Sequence, residues 1–333
     1  MRFRLFALAA GIALAMGGCG KSEDSGTAAA APAEEKLRIA VIPKGSTHEF
    51  WKSVREGAEK AGAELGVEII WKGPQKEDDR ESQIKTVEDF VSQRVDGIVL
   101  APLDEQALVS PVQAAQEAGI PVVIIDSGLK DEGTVSFVAT DNENGGMMAG
   151  AELARLLNGK GRVVMLRYQV GSASTDARER GFLKEIAKFP GIQVVSENKH
   201  AGPTVETAQK ESENLLSQFR NPDGSLGVDG IFCPNESSAY GMLLVLRDRG
   251  WAGKVKFVGF DASEKLIDGL TSGGIDGLIV QNPRNMGYEG VKAMIAHLKK
   301  EPVEKRIDTG AVLVTKANME DEKVKELLAP PKG

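Results

Sequence analysis

Residues 39–65 read IAVIPKGSTHEFWKSVREGAEKAGAEL, and the reading of this stretch decides the fold. Ile39, Val41 and Ile42 form an apolar run too short for a helix and closed by Pro43, which suits a buried strand. Phe50, Val54, Ala58, Ala61 and Leu65 then recur at helical spacing, so a long amphipathic helix follows. Between the two lies a short polar turn, with Ser46 or Thr47 as the expected N-cap. In an open α/β sheet, a turn at the carboxyl end of a strand is where ligands are held. Lys44, His48, Glu49, Phe50 and Trp51 bring a cation, an imidazole, a carboxylate and two aromatic rings to that turn. The plainer reading is a solvated turn whose aromatics only dock the helix.

Outward from this unit, apolar strands alternate with helical stretches almost to the end of the chain. Strands are expected near 67–71, 97–100, 122–125 and 135–139, with helices near 78–94 and 104–118. A further helix starts around Thr140-Asp141-Asn142. The rhythm then restarts. Strands fall near 162–166, 192–196, 229–233, 256–260 and 276–280, with helices near 174–188, 204–219, 235–249 and 262–270. A last helix near 285–299 and a strand near 311–315 follow. This is the pattern of doubly wound parallel sheets, repeated as two similar α/β lobes. A chain of 333 residues is long enough for two cores.

The net charge of −7 argues against a nucleic-acid surface, which needs clustered Lys and Arg. Arg2 and Arg4 followed by the apolar run Leu5 to Met16 form a targeting segment too short to span a bilayer. Met16-Gly17-Gly18-Cys19 resembles a bacterial lipobox, in which Cys19 is acylated and becomes the first residue of the mature protein. Residues 1–19 are thus expected to be a lipoprotein signal peptide, and 20–36 a flexible tether of Ala, Ser, Gly and Glu. Cys233 is then the one cysteine of the mature body, in a setting, GIFCP, that reads as a buried strand. The three histidines, His48, His200 and His297, have no zinc spacing, so no metal and no cofactor is expected.

Polar residues stand at the strand ends. Lys44 follows IAVIP, Asp126 follows VVII, Asn235 follows IFCP, Asp261 follows FVGF and Gln281 follows GLIV. Arg178 sits near a helix start after the loop 167–174. Each alone is explained by a helix cap. Together they lie where such sheets converge on a ligand. Carboxylates and carboxamides pair with adjacent hydroxyls, and an Arg fork donates two fixed hydrogen bonds. With Phe50 and Trp51 to cover C–H faces, the set suits a neutral sugar. GxSxG, metal-pair, P-loop and GxGxxG patterns are missing. Asp126 and Asp261 as a glycosidase pair would need one raised carboxyl, which nothing in the sequence predicts.

The chain resembles the periplasmic sugar-binding proteins of the ribose-binding type, which share their fold with the ligand domains of lactose-repressor-like regulators. The resemblance covers residues 37 to about 318. It rests on IAVI…FWKSVREGA, DGIVLAP, AGIPVVIIDS, TDNENGG, ARERGF, VDGIFCPNE, VGFDAS and VQNP. It implies two doubly wound lobes joined by a three-stranded hinge, residues 37–140 plus 282–310 and residues 141–281 plus 311–333. Crossovers are expected near Thr140–Asn142, Gly259–Asp261 and Gln281–Pro283. It implies ligand contacts at Lys44, His48, Phe50, Trp51, Asp126, Ser127, Arg178, Asn235, Asp261 and Gln281, with Asn142 lining the cleft or only capping a helix. Lys44, His48 and Ser127 depart from the ribose-binding pattern. The stacking aromatic expected near 200–204 is missing, with His200 alone in its place.

The function implied is a monomeric, lipid-anchored solute receptor, periplasmic or at the cell surface. It would deliver a sugar or cyclitol to the permease of an ABC importer, without enzymatic activity. The alternative is a sensing subunit that presents the bound sugar to a receptor kinase or chemoreceptor. An intracellular repressor is disfavoured by the export signal.

Overall fold

The computed structural model describes residues 36–130 and 133–331. The signal peptide, Cys19 and nearly all of the tether lie outside the described residues.

In chain order the elements are β1 (Arg38–Ile42), α1 (Glu49–Leu65), β2 (Glu68–Trp71), α2 (Arg80–Ser92), β3 (Gly97–Leu100), α3 (Val109–Glu117), β4 (Val122–Ile125) and β5 (Phe137–Ala139). The second series is α4 (Asn142–Leu156), β6 (Lys160–Arg167), α5 (Ala173–Ile186), β7 (Gly191–His200), α6 (Val205–Ser217), β8 (Gly230–Phe232), α7 (Glu236–Asp248), β9 (Lys256–Phe260), α8 (Glu264–Ser272) and β10 (Gly277–Gln281). The chain closes with α9 (Pro283–Leu298), β11 (Arg306–Asp308), β12 (Ala311–Val314) and α10 (Glu322–Leu328).

Two six-stranded sheets result, ordered β11-β5-β4-β3-β1-β2 and β12-β10-β9-β8-β6-β7. The pairings are parallel except for β10 with β12, which is antiparallel. The fold class read from the sequence is therefore met: two α/β lobes, each built on its own sheet. The inner strands are buried on both faces, as the unbroken apolar runs of β3 and β4 require. In the first lobe α1 and α9 cover one face and α2 and α3 the other. In the second, α4 and α5 cover one face and α6 to α8 the other.

One crossover is corrected. Gly259–Asp261 is not a passage between lobes, because β9 and β10 pair in the same sheet. The chain passes between sheets at Thr140–Asp141, at Asn282, and between Asp308 and Ala311. The expected lobe bounds, 282–310 and 311–333, already imply this third pass, but β11 itself was not read as a strand because it is only three residues long and lies in a polar stretch. The passes are tied together: the Thr140 hydroxyl donates to the Gly310 carbonyl at 3.2 Å, and Asp141 N–H to Asp308 at 3.1 Å.

Each lobe presses two helices together through glycine. A Cβ on Gly57 would stand 1.9 Å from the Arg284 carbonyl oxygen, where α1 crosses α9. A Cβ on Gly146 would stand 1.9 Å from the Arg178 carbonyl oxygen, where α4 crosses α5. These backbone contacts fix the two helices that leave β1 and β6, and so the loops at the cleft.

Candidate functional site

The two carboxylates at the strand ends occupy equivalent places in the two sheets. Asp126 follows β4 and Asp261 follows β9, each the third strand from its end of the sheet. Both have positive φ, +61° and +70°, an uncommon conformation for a residue with a Cβ. Such strain persists only where the surroundings hold it, and it gathers at ligand sites. Here it aims both side chains into one cleft between the lobes.

That cleft is lined by Lys44, His48, Phe50, Trp51, Asp126, Arg178, Asn235, Asp261 and Gln281, nine of the eleven contacts anticipated from sequence. Ser127 and Asn142 stand behind the lining. The Ser127 hydroxyl accepts from Ser174 N–H at 3.1 Å. Asn142 accepts from Arg178 Nε at 2.8 Å and donates to the Asp126 carbonyl at 3.4 Å. The cap of α4 is Asp141, which accepts from Asn144 N–H. Asn235 does both jobs: it caps α7 through Ser238 and also lines the cleft. His200 is exposed at the end of β7 and takes no part.

Glu77, Tyr168, Ser172, Ser174 and Thr175 complete the wall and were not anticipated. Glu77 lies in the charged run PQKEDDR, which reads as a solvated loop, yet it is only 5% exposed. It accepts from Trp51 Nε1 at 2.7 Å and from the Tyr168 hydroxyl at 2.8 Å, and pairs with His48 Nδ1 at 2.7 Å. Burial works against both charges, but their attraction outweighs it. His48 is lifted to about 9 and Glu77 drops to about 2. The pair holds Trp51 in place, with Phe50 edge-on to it at 4.9 Å. Tyr168 offered one faint signal, since it follows β6 as Lys44 follows the equivalent β1.

Arg178 is 3% exposed, lies 4.0 Å over the Phe260 ring and donates from Nη1 to the Pro234 carbonyl at 3.0 Å. Its Nη2 has no partner, and neither has Oε1 of the buried Gln281. Gln281 Nε2 donates to Asp261 Oδ1 at 2.7 Å, and Glu236 N–H to Asp261 Oδ2 at 2.9 Å. Burial raises the Asp261 carboxyl, opposed by Arg178 nearby.

The lobes are closed. Lys44 Nζ meets Asp126 at 2.9 Å within its own lobe and donates to Ser172 and Ser174 of the other at 3.2 and 3.0 Å. The space left is about 20 Å³, room for a single water. A polyol therefore enters only when the lobes part, the hinge motion expected of two domains joined by short passes.

The expected N-cap at Ser46 or Thr47 is corrected. The helix starts at Glu49, with His48 at the cap position, one or two residues later than expected, and no side-chain cap bond of its own.

Comparison with known proteins places this geometry. Residues 39–302 match the family described as periplasmic binding protein domain. The D-allose-binding periplasmic protein of Escherichia coli (strain K12) is 29% identical over 264 residues, covering 77% of this chain and 83% of that protein. A carbohydrate transporter solute-binding protein from Agrobacterium radiobacter, solved with D-arabinose, is 36% identical. It superposes with a TM-score of 0.84 over 89% of this chain and 100% of its own. An ABC transporter solute-binding protein from Agrobacterium vitis, bound with alpha-D-tagatopyranose, gives 32% and 0.82 over 88% and 99%.

Proposed function

Since the chain belongs to the periplasmic binding protein family, we propose that it captures a neutral sugar or sugar-like polyol between its lobes and delivers it to an ABC importer. The observation that carries this reading is the convergence of Asp126 and Asp261, from equivalent strand ends, on one cleft. Three cations, Lys44, His48 and Arg178, face three carboxylates there, Glu77, Asp126 and Asp261. Charge is balanced within the wall, so a neutral ligand is favoured over an acid or an amine. The unpartnered Arg178 Nη2 and Gln281 Oε1 supply a donor and an acceptor for hydroxyls. Phe50 offers a ring face to C–H groups. The sugars named for the relatives, D-allose, D-arabinose and alpha-D-tagatopyranose, have this chemistry.

The ligand-binding role of Ser127 and Asn142 is then to hold Ser174 and Arg178 in position. Asp126, Arg178, Asn235 and Gln281 take the hydroxyls. The anchor belongs to the same proposal: Cys19 carries lipid, and the folded body works as a periplasmic monomer on its tether.

Thermal melting against a panel of monosaccharides and cyclitols tests the reading. Saturating ligand at about 100 times its dissociation constant adds about 2.7 kcal/mol, a readable shift of the midpoint. Neutral sugars should raise the midpoint and uronic acids should not. A panel in which only charged compounds act, or none, would overturn the proposal.

A further inference from the structure

Three helix starts at the cleft, those of α1, α5 and α8, lack a side-chain cap bond of their own. Ser174 N–H of α5 donates to the Ser127 hydroxyl of the first lobe, and α1 and α8 each receive a carboxylate from the opposite lobe. The N-cap residues of α1 and α8, His48 and Ser263, make no side-chain cap bond. A helix start leaves backbone N–H groups unpaired and carries partial positive charge. At α1, Glu49 N–H and Phe50 N–H donate to the two carboxylate oxygens of Glu236, at 3.2 and 3.1 Å. Glu236 belongs to α7 of the other lobe. At α8, Glu264 N–H donates to Glu49 Oε2 at 3.0 Å, and Glu49 belongs to α1 of the first lobe.

The exchange is reciprocal, and it exists only while the lobes are shut. When they part, four termini are returned to water: two helix starts and two carboxylates. From this we infer that Glu49 and Glu236 are positioning residues for ligand capture, forming a trans-capping latch that holds the closed state without touching the ligand. Glu236 follows the cleft residue Asn235, and its own N–H donates to Asp261. Glu49 precedes Phe50, which also faces the cleft. Closing the latch therefore sets the ring face and the Asp261 carboxylate at the same moment. The charged groups that face Glu236 are His48 and Asp261, one from each lobe, alongside Glu49 at the head of α1.

The inference rests on the cleft being the ligand site, and its test separates the two. The probe is whichever of D-arabinose, D-tagatose and D-allose wild type holds tightest. Stopped-flow release and association rates are compared for wild type, E49A, E236A, E236Q and the double alanine variant. Loss of a helix N-cap corresponds to about two- to thirty-fold. Each alanine variant should therefore release the sugar faster by that factor, with association and the ligand-free melting midpoint unchanged. E236Q keeps one carbonyl acceptor and should recover part of the loss. Unchanged release in E49A and E236A would overturn the latch. So would faster release accompanied by an equal fall in ligand-free stability, because that marks a contact within one lobe.

Should wild type take none of the three sugars, the ligand reading fails separately. The latch is then judged by spin-label distances between K85C on α2 and K210C on α6. A short-distance population lost in the double variant supports it. Identical distributions, or no such population in wild type, overturn it.

Discussion

Raising the pH should loosen the first lobe by discharging His48, and the size of the effect follows from the buried pair it forms with Glu77. The imidazole lies 2.7 Å from the carboxylate and is lifted from 6.5 to about 9. A group raised on folding contributes stability that is complete below its unfolded value and is lost as pH climbs through the folded value. The window is therefore pH 6.5 to about 9. At 1.36 kcal/mol per pH unit, the full loss is about 3 kcal/mol. Glu77, held at about 2, gives the acid end of the same interaction: its share is present above its ordinary value and lost as pH falls toward 2. The two ends report one coupled pair and do not add. Scanning calorimetry of the sugar-bound, closed protein at intervals from pH 6 to 9.5 measures this directly. A loss of about 3 kcal/mol lowers the midpoint of a lobe this size by about 6–12 °C. His48→Gln should start lower and show a much flatter profile across the same window. A wild-type midpoint that does not move between pH 6.5 and 9.5, or a variant as steep as wild type, would refute the reasoning.

Asp126→Ala leaves the buried Lys44 ammonium without its carboxylate and should weaken sugar binding by about 2–5 kcal/mol, read by calorimetry; unchanged affinity would remove Asp126 from the site. Gly146→Ala drives a methyl group into the Arg178 carbonyl and should cost about 1–3 kcal/mol of stability or more by urea unfolding, with sugar affinity falling alongside. Cys233 is fully buried and its thiol is pushed well up by burial, so a thiol reagent should label it only at the rate of unfolding; rapid labelling of native protein would contradict its place in the core.

The opening stretch was legible because its signals are local. A closed apolar run, a proline and a four-residue period describe β1 and α1 whatever surrounds them. The same held for the strand-end residues: a polar side chain after VVII or FVGF is placed by its own strand, so Asp126 and Asp261 fell where expected. Glu77 was hidden because a carboxylate in PQKEDDR becomes buried only when Tyr168 of the other lobe closes over it. Ser172 and Ser174 were hidden likewise, since only the Lys44 ammonium reaching across the cleft distinguishes them from ordinary loop serines.

What the sequence determined by itself was the alternation of strands and helices, the two lobes and the polar edge of each sheet, because periodicity and capping act over a few residues. What the tertiary structure alone decided was the pairing of β11 with β5, the buried His48–Glu77 pair and the source of the caps on α1 and α8. Each of these joins residues far apart in the chain, and their energies arise from desolvation and hydrogen-bond geometry that exist only once the chain has folded.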